Sequence, residues 1–298
     1  MTSTGSALAV PDWPLAFGKL IPPLTGGIRF EWGHRVAAGT VSILTLILAF
    51  WTWWREPRRW VRITAFGALG LVLLQAVLGG LTVLMLLPLP LAVAHAAAAQ
   101  AFFCFMIAMV LFTSPGFGQR TADAESPWPQ QQRLSTVLAT ATTAAVYLQI
   151  MIGAVMRHLG AGLVIPDFPT SYGHLLPTFY SFAVAINFAH RCGALIVTLM
   201  VTWTFTRVIR FYSAARPLRN GAVLMVALLL LQLTLGAFTI WSGRAVLPTT
   251  AHVAVGAAVL GASLAVTIRV YELRVQSRPA MVLTAAVNLA AVRSQVSA

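Results

Sequence analysis

FEWGHRVAAGTVSILTLILAFWTWW, Phe30 to Trp54, decides the fold. After Arg35 the stretch carries no charge, and about 20 apolar residues are what a helix needs to cross the hydrocarbon core of a bilayer. Comparable segments recur at 63–87, 91–113, 134–156, 181–206, 221–243 and 249–268, which with 31–54 gives seven spans. The whole chain agrees: 58% of its 298 residues are hydrophobic, 9% are charged and the mean hydropathy is +0.82, whereas soluble domains carry roughly a quarter charged residues. Lipid offers the backbone no hydrogen-bond partner, so the spans are helices and the fold class is an all-α membrane protein.

The net charge of +13 follows the spans and forms no single basic surface, which excludes nucleic acid as a partner. Arg55, Arg58, Arg59 and Arg62 share one connection, Arg120 and Arg133 a second, Arg207, Arg210, Arg216 and Arg219 a third, and Arg269, Arg274, Arg278 and Arg293 the tail. The positive-inside rule turns these ends to the cytoplasm and the N-terminus of the chain, with both long loops, outward. Cys104 and Cys192 lie in separate spans and indicate no disulfide framework.

The chain repeats itself. TGSALAVPDWPLAFGKLIP, Thr4 to Pro22, returns as LGAGLVIPDFPTSYGHLLP, Leu159 to Pro177, at an offset of 155. EWGHR at 31–35 returns as NFAHR at 187–191, and LQAVLGGLT from Leu74 as LQLTLGAFT from Leu231. The pairs ending in His95 and His252 complete the series. Four blocks in one order mean an internal duplication into two pseudo-symmetric helix bundles. The halves are an N-terminal half-bundle, 1–113, and a C-terminal half-bundle, 134–270, joined by a cytoplasmic linker, 114–133, and followed by a cytoplasmic tail, 271–298.

Duplication places the histidines. His34 and His95 fall near the outer ends of two inward-running helices, and His190 and His252 repeat the arrangement, His190 somewhat deeper. Ionisable residues inside spans are costly and mark function. Two imidazoles at matched depth on separate helices suit axial ligation of a heme iron from both sides of the porphyrin, whereas two histidines without thiolates or a carboxylate set suit zinc or a di-iron centre poorly. Glu31, His34 and Arg35 share one helical sector, and Asn187, His190 and Arg191 share its counterpart. The arginines are candidates for heme propionates. Glu31, replaced by Asn187 in the second half, is a candidate for acid–base work, against the plainer reading of a partner for Arg35. Gln75 and Gln232, with Gly79 and Gly236 one turn on, read as packing or heme contact, and Asp12 and Asp167 as braces of their loops.

The duplicated order of an ExxHR helix, an LQxxxG helix, an inward histidine and a PDxP loop resembles the heme A synthases of bacterial and mitochondrial membranes. The resemblance implies oxidation of the C8 methyl of heme O to a formyl group, giving heme A for cytochrome oxidase. It assigns Glu31, His34 and His95 to the half receiving heme O, and His190 and His252, with Arg35, Arg191 and Asn187 as further cofactor contacts, to heme binding and a resident heme b in the second half. It implies a multi-pass protein of the bacterial cytoplasmic membrane. Its partners would be membrane lipid, a heme O synthase as substrate donor, an electron-transfer protein or quinone, and in some settings a second copy of the chain. Two departures stand out. The loop cysteine pairs of many relatives are replaced by Val10 and Ala16 and by Ile165 and Ser171, and the eight spans of the family are seven here, the expected gap falling before Thr2. A non-enzymatic diheme b-type cytochrome, a heme-handling assembly factor and a repeat-built transporter are the rival readings.

Overall fold

A computed structural model of the protein describes residues 4–118 and 132–296, with side chains over 4–118 and 136–275. Arg120 lies outside the described residues, as do the side chains of Arg133, Arg278 and Arg293. Among the described residues there are seven helices: α1 (Ile28–Arg55), α2 (Arg59–Leu84), α3 (Leu89–Phe112), α4 (Gln132–His158), α5 (Phe182–Phe211), α6 (Arg216–Trp241) and α7 (Val246–Val296). All seven are long and apolar enough to cross a membrane, and the protein is a multi-pass helical membrane protein.

The ends differ from the hydropathy reading for physical reasons. Helices α2 and α6 begin four or more residues earlier than their apolar runs, at Arg59 and Arg216, because a long guanidinium side chain extends from the first turn toward water while its backbone stays helical. Helix α2 stops at Leu84 because Leu86 and Leu87 both take left-handed backbone conformations, φ 59° and 62°, and reverse the chain into α3. Helix α7 continues to Val296, through the segment read as a tail.

In the second half the helices close a ring: α4 packs on α5, α5 on α6, α6 on α7, and α7 back on α4. Its interior is built from Val146, Val197, Val201, Met225, Leu229 and Leu260, all buried. In the first half α1 packs on α2 and α2 on α3, and among the described residues no helix bridges α3 to α1 as α4 bridges α7 to α5. Helix α3 is the seam between the halves, lying against α4 and α7. The Tyr147 hydroxyl on α4 donates to the carbonyl of Ala97 on α3 at 2.8 Å, and Phe103 rests against Gly261 of α7.

The two long loops share one backbone design. Gly5, Phe17 and Gly18 have φ of 66°, 53° and 68°; their counterparts Gly160, Tyr172 and Gly173 have 68°, 55° and 77°. Trp13–Pro14 and Phe168–Pro169 are both cis, and the short bridges Ala16–Lys19 and Ser171–His174 correspond. Such residue-by-residue agreement is the structural form of the duplication read from the sequence.

Candidate functional site

The four repeat-related histidines stand at one end of the bundle, the end of the two loops. His34, His95 and His252 are each the seventh residue of their helix, and His190 is the ninth of α5. The ring centres of His190 and His252 are 6.5 Å apart with their planes at 76°. His95 lies within electrostatic reach of His34. His95, His190 and His252 are half-buried; His34 is exposed.

Glycines make room for three of these rings. A Cβ on Gly79 of α2 would sit 3.2 Å from Cε1 of His95, one on Gly153 of α4 2.9 Å from Cε1 of His190, and one on Gly236 of α6 3.1 Å from Cε1 of His252. The imidazoles therefore lie directly against a neighbouring helix backbone, a closeness that glycine alone permits. A glutamine one turn earlier accompanies each glycine. The amide of Gln75 donates to the His95 carbonyl at 2.9 Å, and that of Gln149 to the His190 carbonyl at 2.7 Å. The amide of Gln232 lies 3.4 Å from Nε2 of His252. Oε1 of all three glutamines is buried with no hydrogen-bond partner among the described residues, as is Nδ1 of His95.

Gln149 and Gly153, which both lie against His190, are residues that the half-chain repeat passed over. LQIMIG, Leu148 to Gly153, is a third copy of the LQxxxG pattern, yet it lies on α4, which has no counterpart in the first half among the described residues. The signal was present in the sequence at a shorter period, a glutamine–glycine helix followed by a histidine helix: α2 then α3, α4 then α5, α6 then α7.

The residues beside the histidines hold the loops. Nη1 of Arg35 donates to the carbonyls of Asp12 and Leu15, both at 2.7 Å, and Nη2 to the carbonyl of Val10 at 3.2 Å and to Glu31 at 2.7 Å. Nη1 of Arg191 donates to the Thr170 carbonyl at 2.7 Å, Nη2 to that of Ile165 at 3.0 Å, and Nε to Asn187 at 3.1 Å. The terminal nitrogens of Arg35 that a bidentate propionate contact would use thus serve the loop, leaving Nε; Arg191 keeps one N–H on each terminal nitrogen. Glu31, 1% exposed, takes the Val10 amide on its second oxygen at 2.9 Å. Asn187 does the matching task with a neutral amide, donating to the carbonyl of Ala161 at 2.8 Å.

Each loop is also tied from within. Asp12 accepts from the amides of Phe17 and Gly18, and Asp167 from those of Tyr172 and Gly173 and from the Thr170 hydroxyl. These donors hold both carboxyls below the ordinary range, Asp12 chiefly through Gly18 and Asp167 chiefly through Gly173. Val10, Ala16, Ile165 and Ser171 are all buried, so apolar and hydroxyl packing occupies the loop positions where many resembling sequences have cysteines.

Among the described residues no three His, Cys, Asp or Glu side chains converge as a metal-ligand cluster. In the second half two imidazoles from different helices stand 6.5 Å apart, each against a glycine of a neighbouring helix. A duplicated helical membrane protein with paired intramembrane histidines under clamped loops is the class that fold and site define. Residues 28–264 match the family model COX15-CtaA, cytochrome oxidase assembly protein, and the chain belongs to that family. It is 31% identical over 233 residues to a protein named heme A synthase in Symbiobacterium thermophilum, covering 76% of this chain and 74% of that one. Proteins of the same name in Lysinibacillus sphaericus (26% identical; 79% and 77% covered) and Shouchella clausii (27% identical; 83% and 82% covered) are also similar.

Proposed function

We propose that the protein is a heme A synthase-like oxidoreductase that binds a heme between the histidines of each half. The N-terminal half takes heme O as substrate through His34 and His95, and the C-terminal half keeps a b-type heme on His190 and His252. The observation that carries the reading is the separation of the second pair. A metal–imidazole bond of about 2 Å on each side, plus roughly 1 Å from each coordinating nitrogen to its ring centre, sets two axial rings about 6 Å apart; His190 and His252 stand at 6.5 Å. The glycine gaps support the same reading, since they seat three of the four imidazoles against neighbouring helices.

The bound hemes supply the redox chemistry by which the C8 methyl becomes a formyl group. The chain's residues do the rest. Glu31, one turn from His34, accepts protons released at the substrate, and Arg35 and the Val10 amide hold its carboxylate in place. Arg35 and Arg191 hold the loops over the histidine end and offer their remaining N–H groups to propionates. The protein lies in the bacterial cytoplasmic membrane with the histidine end outward, because Arg55, Arg58, Arg207, Arg210, Arg216 and Arg269 crowd the opposite end. A heme held by His190 and His252 would give the electrons removed from the methyl group a route to a protein or quinone acceptor, with water as the source of the formyl oxygen, and a heme O synthase would deliver the substrate.

One observation favours a second reading, a non-enzymatic diheme cytochrome. Both carboxylate oxygens of Glu31 are engaged in holding loop and arginine, a structural task that Asn187 performs in the other half. Pigment analysis separates the two. Protein purified from cells that make heme O is expected to yield heme A or its hydroxymethyl precursor on extraction. Glu31→Ala is expected to retain pigment and lose that product. Wild-type protein yielding only unmodified hemes would establish the cytochrome.

A further inference from the structure

Resting on the reading that His190 and His252 ligate heme iron, we propose that Gln149 is a positioning residue that accepts the Nδ1 proton of His190 through its amide oxygen. It thereby fixes the iron-binding tautomer and the electron richness of that ligand, while the opposite ligand, His252, takes the same support from the backbone.

The two ligands are served differently. Nδ1 of His252 is 3.1 Å from the backbone carbonyl of Gln232, so it carries the ring proton and leaves Nε2, 3.4 Å from the Gln232 side-chain amide, as the metal-binding nitrogen. His190 has no such carbonyl. Its Nδ1 faces the side-chain amide of Gln149 at 3.0 Å, and that same amide nitrogen donates to the His190 carbonyl at 2.7 Å. In this arrangement Nδ1 accepts and the ring proton sits on Nε2, the nitrogen wanted for iron. Coordination through Nε2 moves the proton to Nδ1, where a buried N–H requires an acceptor. One is at hand: Oε1 of Gln149 is buried and unpartnered, and a half-turn of the amide exchanges it with the nitrogen.

The sequence leaves room beside the Gln149 amide. A Cβ on Gly193, one turn beyond His190 on α5, would fall 2.0 Å from Oε1 of Gln149, so glycine at 193 is what admits the amide. The exchange ends the donation to the His190 carbonyl, which keeps the helical amide four residues on inside α5, and Oε1 has to shift from the position the nitrogen held to clear that carbonyl oxygen. The first half shows the same incomplete pair: Gln75 ties to the His95 carbonyl, while Oε1 of Gln75 and Nδ1 of His95 are both buried and unpartnered.

Two variants separate acceptor from mere helix tie. Neither leucine nor ionised glutamate can donate to the His190 carbonyl, so a tie that matters structurally is lost equally in Gln149→Leu and Gln149→Glu. Acceptance of the Nδ1 proton divides them: a carboxylate strengthens that hydrogen bond and leucine abolishes it. In redox titration of the full-length protein, the C-terminal heme is expected to shift to lower midpoint potential in Gln149→Glu and to higher potential in Gln149→Leu. The leucine variant is also expected to hold that heme roughly tenfold or more weakly. Heme-loaded variants with equal or unshifted potentials would overturn the inference and leave the heme reading intact; wild-type protein without heme would overturn the heme reading itself. Should both variants lose heme, redox-difference infrared spectroscopy of wild-type protein carrying carbonyl-13C glutamine decides. A glutamine C=O band that moves with heme reduction supports the inference, and its absence overturns it.

Discussion

Gly153 shows how much the site depends on single atoms. Its missing side chain is the space in which the His190 ring lies, and an alanine methyl would come within 2.9 Å of Cε1, closer than carbon atoms approach. Gly153→Ala is therefore expected to turn or displace the ring, at about 1–3 kcal/mol of overpacking, and to weaken heme binding in the C-terminal half roughly tenfold to a hundredfold. Pyridine hemochrome analysis should then find one heme where the proposed function gives the parent protein two. The histidines, Glu31 and both arginines were legible in the sequence because charged and imidazole side chains inside apolar spans stand out. Glu31 was legible as a partner of Arg35 too, but the remaining acceptors of the loop were not, because they are backbone carbonyls, which every residue carries and no sequence pattern reveals. Arg191→Lys keeps the charge but cannot span Thr170, Ile165 and Asn187 together. It is expected to expose the 159–181 loop to limited proteolysis while the helices stay protected.

At the scale of elements, the loops respond to pH with a definite sign. Asp12 and Asp167 have their carboxyls held below the ordinary value by loop amides, and the Thr170 hydroxyl adds to the effect at Asp167. A depressed carboxyl stabilises the folded loop at pH above about 4, where the unfolded group is also ionised. That contribution is lost as pH falls through the folded-state values. Both groups are only partly buried and stand in the loops, so the effect is local to them. Amide exchange at Gly18 and Gly173 should accelerate, relative to the intrinsic rate, as pH drops below about 4; Asp167→Asn should show the faster exchange at neutral pH. The turns were readable from their PDxP and glycine signals. The exact helix ends were not, since apolar content marks where lipid begins and helical hydrogen bonding continues past it through Arg59, Arg216 and the segment after Val275.

The whole molecule joins a closed ring of four helices to an open row of three through α3. The duplication was visible in the sequence because four blocks kept their order, and the paired histidines followed from it. What the half-chain repeat concealed was the shorter unit of a glutamine–glycine helix beside a histidine helix, which gives α4 its place in the ring and Gln149 its contact with His190. Everything proposed for the molecule rests on axial ligation by His190 and His252, whose planes meet at 76°. Electron paramagnetic resonance of the oxidised, purified protein tests this most directly. A low-spin ferric heme with the strongly anisotropic signal of near-perpendicular imidazoles, converted to high spin or lost in His252→Ala, is the expected result. A protein with no heme absorption, or a heme signal unchanged by substituting both His190 and His252, would contradict it.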